Sequence, residues 1–453
     1  RRIRGMRLPY HRAMSASPRR PASTARPPVR AEYVVIDGER ARVDGVLRTG
    51  RRRSPVVVVQ THPRLASDEN LTVWPMLDLP TRGIDTFAYN NRYANSTAGT
   101  EVITVWEDIA LDVAEVVWAL RRRGYRHVVL YGYSAGGPTV AYYQAVAERG
   151  NAFFDPASSL SGFAGFVDAG GRVERRLPPA DGLVFQNSTT GTGWSFLARL
   201  DPSVVDDATG ERDPALDMFE PANGYDPGAG AAHYDPAFLA RYYRAQGERM
   251  DRLIATAQER LAATRAGTGR FLDDDLLVIP GIRAEPASID LSLAAATRVP
   301  GRLYPAGTDG IVRSDRGVVA RYRQRNRSFR DGGTVHTLRS FLSYRAVRVL
   351  PGGYDPDAVD AAAAGVDLAS SNSSTARCIA ATSVPILVCA GTADTQVHLP
   401  HAELLYNSAT GTSDREKAFI AGAEHDLTPA VPGAPDTRAA HLDVLSDWLA
   451  RRY

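Results

Sequence analysis

Residues 128 to 138, "VVLYGYSAGGP", carry one serine, Ser134, between Gly132 and Gly136. A serine hydroxyl attacks carbon only when a neighbouring base takes its proton and an acid orients that base. Composition alone gives a Gly-x-Ser-x-Gly match in roughly one such glycine-rich chain in five, so context has to carry the reading. A run of strand formers, "RHVVLYGY", precedes Ser134, and a helical pattern, "PTVAYYQAVAERG", follows it. That is what a tight strand-to-helix turn requires when it thrusts a serine oxygen out of a sheet. The helix's first N–H groups, beginning near Ala135, then face any negative charge that develops beside Ser134. A dinucleotide loop would need glycine where "GYSAGG" has Ser134, so that reading is set aside.

Nine histidines compete for the role of base. His11 lies in an Arg-rich tail, His127 precedes a strand, His233 and His336 fall within an irregular middle region, and His441 lies inside a helix. His398 and His401 form a His-x-x-His pair, but no third ligand is nearby, and "HLPHAE" reads better as a helix entry than as a metal site. His425 follows a strand in "FIAGAEHDL", on a glycine-containing loop from which a base can reach across the carboxyl edge of a sheet. The acid belongs at the end of a preceding strand, where "ILVCAGTADTQV" supplies Asp394; a turn aspartate capping the next segment is the structural alternative. The chain order is Ser, Asp, His.

Elements that would position these residues alternate along the chain. "AEYVVIDG" and "ARVDGVLRTG" read as an antiparallel hairpin, "SPVVVVQTHP" as a strand buried on both faces, and "DTFAYNNRY" as another strand. In "WEDIALDVAEVVWALRRRG", Ile109, Val113, Val116, Val117 and Leu120 recur at helical spacing before Gly124. "GLVFQNS" and "VPILVCAGTAD" continue the strands, and "DTRAAHLDVLSDWLARR" closes the chain as a helix. Strands alternating with helices predict an α/β fold with a mostly parallel sheet covered on both faces. Between "GLVFQNS" and "VPILVCAGTAD" lies a long insertion. One part of it, "PAFLARYYRAQGERMDRLIATAQERLAATR", is a strong helix with Leu239, Tyr242, Gln246, Met250, Leu253, Ala257 and Leu261 on one stripe. Its arginines fall mostly off that stripe, as on a solvated face.

This pattern resembles the α/β-hydrolase superfamily of serine hydrolases over about 31 to 200 and 380 to 453. The resemblance is carried by "GYSAGG", by "VPILVCAGTAD" and by "IAGAEHDL". It implies Ser134 as nucleophile, His425 as base and then acid, Asp394 as the residue that fixes the His425 tautomer, and a lid inserted before the acid-bearing strand. The expected division is therefore a tail over 1–30, a core in two parts (31–200 and 380–453), and a largely helical lid over 201–379. The family commonly has His-Gly after the "VVVVQ" strand, where an N–H completes the oxyanion hole. Here the sequence is "THPRL", and Pro63 has no N–H. The donors would then be Ala135 and Arg64, or else Pro63 merely shapes the loop.

The implied reaction is hydrolysis of a carboxylic ester or lactone through an acyl-enzyme, with no cofactor or metal. Thioester, acyl-transfer, amide and carbon–carbon bond chemistry use the same triad, and a non-catalytic binding protein is the alternative from another class. Trp194, Phe196, Phe219, Tyr225, Tyr234, Phe238, Tyr242 and Tyr243 supply aromatic mass for an apolar substrate pocket under the lid or for the lid's own core.

Bulk properties narrow the partners. The chain has 453 residues, more than the roughly 250 to 300 at which one core stops growing. Its formal charge of +3 is misleading, because nine arginines precede Glu32; without them 45 basic residues face 51 acidic ones, a net −6. A nucleic-acid partner, which would need a clustered positive footprint, is not expected. No apolar run approaches a membrane span of roughly 18 residues, and no signal-like segment opens the chain. Cys378 and Cys389 fit no zinc, redox or disulfide framework. These features read as a cytoplasmic bacterial chain acting on a small, largely apolar molecule, with homo-oligomerisation left open. The Arg- and Pro-rich start is read as an upstream extension in preference to a transit peptide.

Overall fold

The computed structural model describes residues 29–60, 62, 70–94, 102–167, 176–293, 303–304, 332–394, 396–430, 433 and 435–453. The Arg- and Pro-rich stretch 1–28 lies outside them.

The chain opens with the hairpin β1 (Arg30–Asp37) and β2 (Arg42–Thr49), antiparallel from Arg30↔Thr49 to Asp37↔Arg42. There follow β3 (Val56–Gln60), a short helix α1 (Trp74–Asp78), β4 (Asp85–Asn90), α2 (Ile109–Arg122), β5 (His127–Tyr133), α3 (Gly136–Arg149) and β6 (Gly182–Gln186). A long insertion then contains α4 (Pro236–Arg265), β7 (Leu276–Pro280), β8 (Leu303–Tyr304) and β9 (Gly333–Thr337). The core resumes with α5 (Thr375–Ala380), β10 (Ile386–Gly391), α6 (Leu399–Ser408), β11 (Arg415–Ile420) and α7 (Thr437–Ala450).

Among the described residues nine strands form one sheet in the order β1-β2-β4-β3-β5-β6-β10-β11-β8. From β4 through β11 every neighbour is parallel, and only β2, antiparallel to both β1 and β4, runs against the rest. The valine run explains the centre. β-Branched side chains suit a pleated surface buried on both sides, and all of β3 is buried. Its register, Val57↔Val128, Val58↔Val129 and Val59↔Leu130, sorts the side chains by face. Val57, Val59, Val128, Leu130, Leu183 and Phe185 pack with the apolar stripe of α2 and with α3. Val56, Val58, Val129, Tyr131, Val184, Leu387 and Cys389 pack with Leu442, Leu445 and Trp448 of α7. α2 buries Ile109, Val113, Val116, Val117 and Leu120, and stops where Gly124 takes φ 92°.

The insertion departs from the sequence expectation at Arg249. Arg249 is not on a solvated face. Its side chain is fully buried in α4, where its guanidinium donates to Asp201 O (2.6 Å), Pro280 O (2.7 Å) and Gly281 O (3.3 Å) and pairs with Asp207. Enough acceptors converge there to satisfy a buried cation, so helical spacing alone misassigned it. For the aromatic residues, core packing is the one of their two expected roles that the contacts account for. Tyr234, Phe238 and Tyr242 form a small core with Met218, Ala284 and Ile289, against which Phe219, Tyr225 and Tyr243 pack. Trp194 and Phe196 join the main core.

Candidate active site

Ser134 sits directly after β5 with φ 53°, a left-handed conformation that a residue with a side chain adopts only under constraint. The constraint is visible on both sides of it. A Cβ on Gly132 would lie 2.5 Å from Gly137 Cα, and one on Gly137 would lie 1.6 Å from Ser188 Oγ. The close crossing of β5 and α3 therefore falls at Gly137, one residue beyond the glycine of the pentapeptide. Backbone bonds hold the turn: Ser134 N–H donates to Gln186 O (3.0 Å), and Ser134 O accepts from Gly137 N–H (3.2 Å) and Thr189 N–H (3.3 Å).

β10 and β11 deliver the other two groups. Asp394 follows β10, and His425 sits on the loop after β11. His425 Nδ1 lies 2.7 Å from Asp394 Oδ2, and His425 Nε2 lies 3.0 Å from Ser134 Oγ. Asp394 is buried, and its other oxygen accepts from the N–H groups of Gln396 (2.8 Å) and Val397 (3.0 Å). With both carboxyl oxygens accepting, the Nδ1 that faces Oδ2 is the protonated one. Nε2 is then left as an acceptor for the Ser134 hydroxyl. The Tyr133 ring packs at 5.1 Å from the imidazole of His425 and closes one side of this line.

Three residues from three strand ends meet at the carboxyl edge of a sheet ordered β1-β2-β4-β3-β5-β6-β10-β11, with the serine in a strained strand-to-helix turn. The chain has the α/β-hydrolase fold.

No protein-family model matches the chain, and no curated protein matches it in sequence. Among solved structures it is similar to DcsB in complex with its substrate analogue, at 11% identity and a TM-score of 0.43, over 94% of this chain and 100% of that one. It is also similar to a bromoperoxidase from Bacillus anthracis, at 13% identity and a TM-score of 0.35, over 92% of this chain and 100% of that one. A third is Est1E from Butyrivibrio proteoclasticus, at 10% identity and a TM-score of 0.38, over 92% of this chain and 99% of that one. The strand order and the turn at Ser134 carry the fold assignment in their own right.

Of the two oxyanion donors named from sequence, Ala135 lies at the entrance to α3, buried beside Ser134. Among the described residues its N–H makes no hydrogen bond, which leaves it to a ligand. Arg64, like Pro63, lies outside the described residues. His398 and His401 hold their rings 6.4 Å apart, with His398 Nδ1 3.7 Å from Asp357 Oδ1. Among the described residues no group of three or more His, Cys, Asp or Glu is placed to hold a metal. No helix among them is long and apolar enough to cross a membrane. Cys378 and Cys389 are buried free thiols, and burial pushes the Cys378 thiol up to about 12.

One residue of this neighbourhood escapes the sequence reading. Asn187, the residue after β6, has φ 45° and a buried side chain that reaches both the end of β10, the strand that precedes Asp394, and the His425 loop. The only trace of it in the sequence is an asparagine at a strand end, a residue that tolerates the left-handed region.

Proposed function

We propose that this protein is a serine hydrolase that cleaves a carboxylic ester or lactone through an acyl-enzyme. The observation that supports this reading is the continuous hydrogen-bonded line from Asp394 through His425 to Ser134, at 2.7 and 3.0 Å. In the first half-reaction Ser134 Oγ attacks the substrate carbonyl while His425 Nε2 takes its proton. Asp394 holds Nδ1–H and stabilises the imidazolium that forms. The carbonyl oxygen becomes an oxyanion beside the Ala135 N–H at the α3 N-terminus, with the Arg64 N–H proposed as second donor. Collapse breaks the ester bond, and His425 returns its proton to the leaving alkoxide. In the second half-reaction His425 deprotonates water, which attacks the acyl-serine; the acyl–Oγ bond breaks, His425 returns the proton to Ser134 Oγ, and the acid leaves.

No step calls on a cofactor or metal. The acceptor is water in this reading; a competing added alcohol that took most of the acyl group would shift it to acyl transfer. Substrate size is left unassigned, because the insertion's aromatic side chains are engaged in its own core. The direct test is a fluorophosphonate probe. It should add one phosphonyl group to the protein, located on Ser134 by peptide mass spectrometry, and none to Ser134→Ala. An unlabelled wild type, or an adduct on another residue, would overturn the assignment.

A further inference from the structure

The three residues of the line lie on segments far apart in sequence, and two of them are on loops. A misplacement of about 1 Å in such a constellation costs about 100-fold in rate, so something must hold the His425 loop in register with Ser134. The end of β6 makes the necessary connections. Asn187 Nδ2 donates to His425 O at 2.6 Å and to Glu424 O at 3.3 Å. Asn187 Oδ1 accepts from Gly391 N–H at 2.7 Å, and the backbone N–H of Asn187 donates to Cys389 O at 2.9 Å. One residue earlier, Gln186 O accepts from Ser134 N–H, and two residues later Thr189 N–H donates to Ser134 O. The segment 186–189 thus touches the serine on one side, and the acid strand and base loop on the other.

The site is built for an amide. Gly391 passes so close to the His425 loop that a Cβ on it would lie 2.3 Å from Ala423 O, so no side chain of that strand can enter the gap. Into the gap between the two chains comes one planar group that donates on one side and accepts on the other. Among side chains of this length only asparagine does both, and it also tolerates φ 45°. Aspartate has the same shape and no donor. Its oxygen would face the carbonyl oxygens of Glu424 and His425.

We infer that Asn187 is a positioning residue whose buried amide fixes the His425 loop against the acid strand and so sets the Ser134–His425 contact. The inference rests on the hydrolase reading above. In this role Asn187 acts through the His425 loop and not through contact with substrate. Its loss should therefore act on the chemical step and leave binding unchanged.

Asn187→Gly removes the amide and keeps the backbone conformation, whereas Asn187→Asp keeps the shape and removes the donor. Each is to be compared with wild type in fluorophosphonate inactivation and in hydrolysis of p-nitrophenyl acetate. The expected result is a fall of roughly 10- to 100-fold in the maximal inactivation rate and in kcat, with KI and KM changed less than about twofold. The strongly deshielded imidazole N–H proton of the His425–Asp394 pair should broaden or vanish from the 1H NMR spectrum in both variants. Folded variants with wild-type rates, or a loss carried by KM and KI with the proton signal unchanged, would overturn the inference. If Asn187→Gly does not fold, Asn187→Asp decides. A wild type that is not labelled at Ser134 refutes the hydrolase reading itself, whereas a labelled wild type with equally fast variants refutes only the role of Asn187.

Discussion

Two buried histidines lie close together in sequence, His425 above the carboxyl edge of the sheet and His441 on α7 beneath it, and their surroundings send them to opposite ends of chemistry. Both nitrogens of His425 are engaged, one by an acid and one by a hydroxyl. His441 Nε2 lies 2.9 Å from the Tyr131 hydroxyl, which donates its own proton to Gln186 Oε1. A hydroxyl has one proton, so Nε2 must carry the hydrogen here, and Nδ1 is an acceptor with no hydrogen-bond partner among the described residues. Burial then pushes the His441 pKa down to about 3. Gln186 touches both regions, since its Nε2 also approaches His425 O at 3.5 Å. Both are buried histidines, at 6% and 0% exposure. What differs is whether the donor-acceptor chain runs from a carboxylate to a hydroxyl at a strained turn, or ends on an uncharged amide in the interior.

The comparison breaks first at turnover. His425→Ala should lower kcat by about 10⁴- to 10⁶-fold with the fold intact, because such residues act as a unit. Asp394→Asn, which favours the wrong imidazole tautomer, should cost about 10⁴-fold. Steady-state hydrolysis of an ester panel measures both. A mild Asp394→Asn variant would mean that another carboxylate orients His425.

The same contrast shows what the amino-acid order reveals. The central strands are legible because burial on both faces leaves an unbroken apolar run, as in Val56–Val59. Ser134, Asp394 and His425 can be named as candidates because each follows such a run. Asn187 cannot be, because its partners are backbone groups of Gly391 and His425, more than 200 positions away. Arg249 defeats periodicity for a related reason, since the carbonyls that satisfy it, at Asp201 and at the end of β7, lie outside the helical pattern. The glycine that matters at the turn is another case. Gly136 completes the pentapeptide, yet Gly137 is the one against Ser188. Gly137→Ala should therefore destabilise the protein by about 1 to 3 kcal/mol, as overpacking does, read as a lower urea midpoint. An unchanged midpoint would show that Ser188 rotates away freely and that the crossing is looser than its geometry suggests.

The smallest expected effect sharpens the comparison from the side of His441, through pH. In the unfolded chain this histidine takes up its proton near its ordinary value of about 6.5, and in the folded protein only at about 3. Its contribution is thus complete above the unfolded value and is lost progressively as pH falls from 6.5 towards 3, where it levels off. At pH 5 the loss amounts to about 2 kcal/mol from this group alone. His401, which burial and the neighbouring His398 hold down to about 4, works in the same direction and steepens the same limb. His441→Leu removes one of the two titrations and the unmatched Nδ1, and the Tyr131 hydroxyl keeps its bond to Gln186. Urea midpoints at pH 7.5 and pH 5 should fall less between the two conditions in His441→Leu than in wild type, while turnover at pH 7.5 stays within about tenfold. Equal falls would mean that His441 takes up its proton in the folded state, and a variant as inactive as His425→Ala would mean that the two histidines are not separate devices.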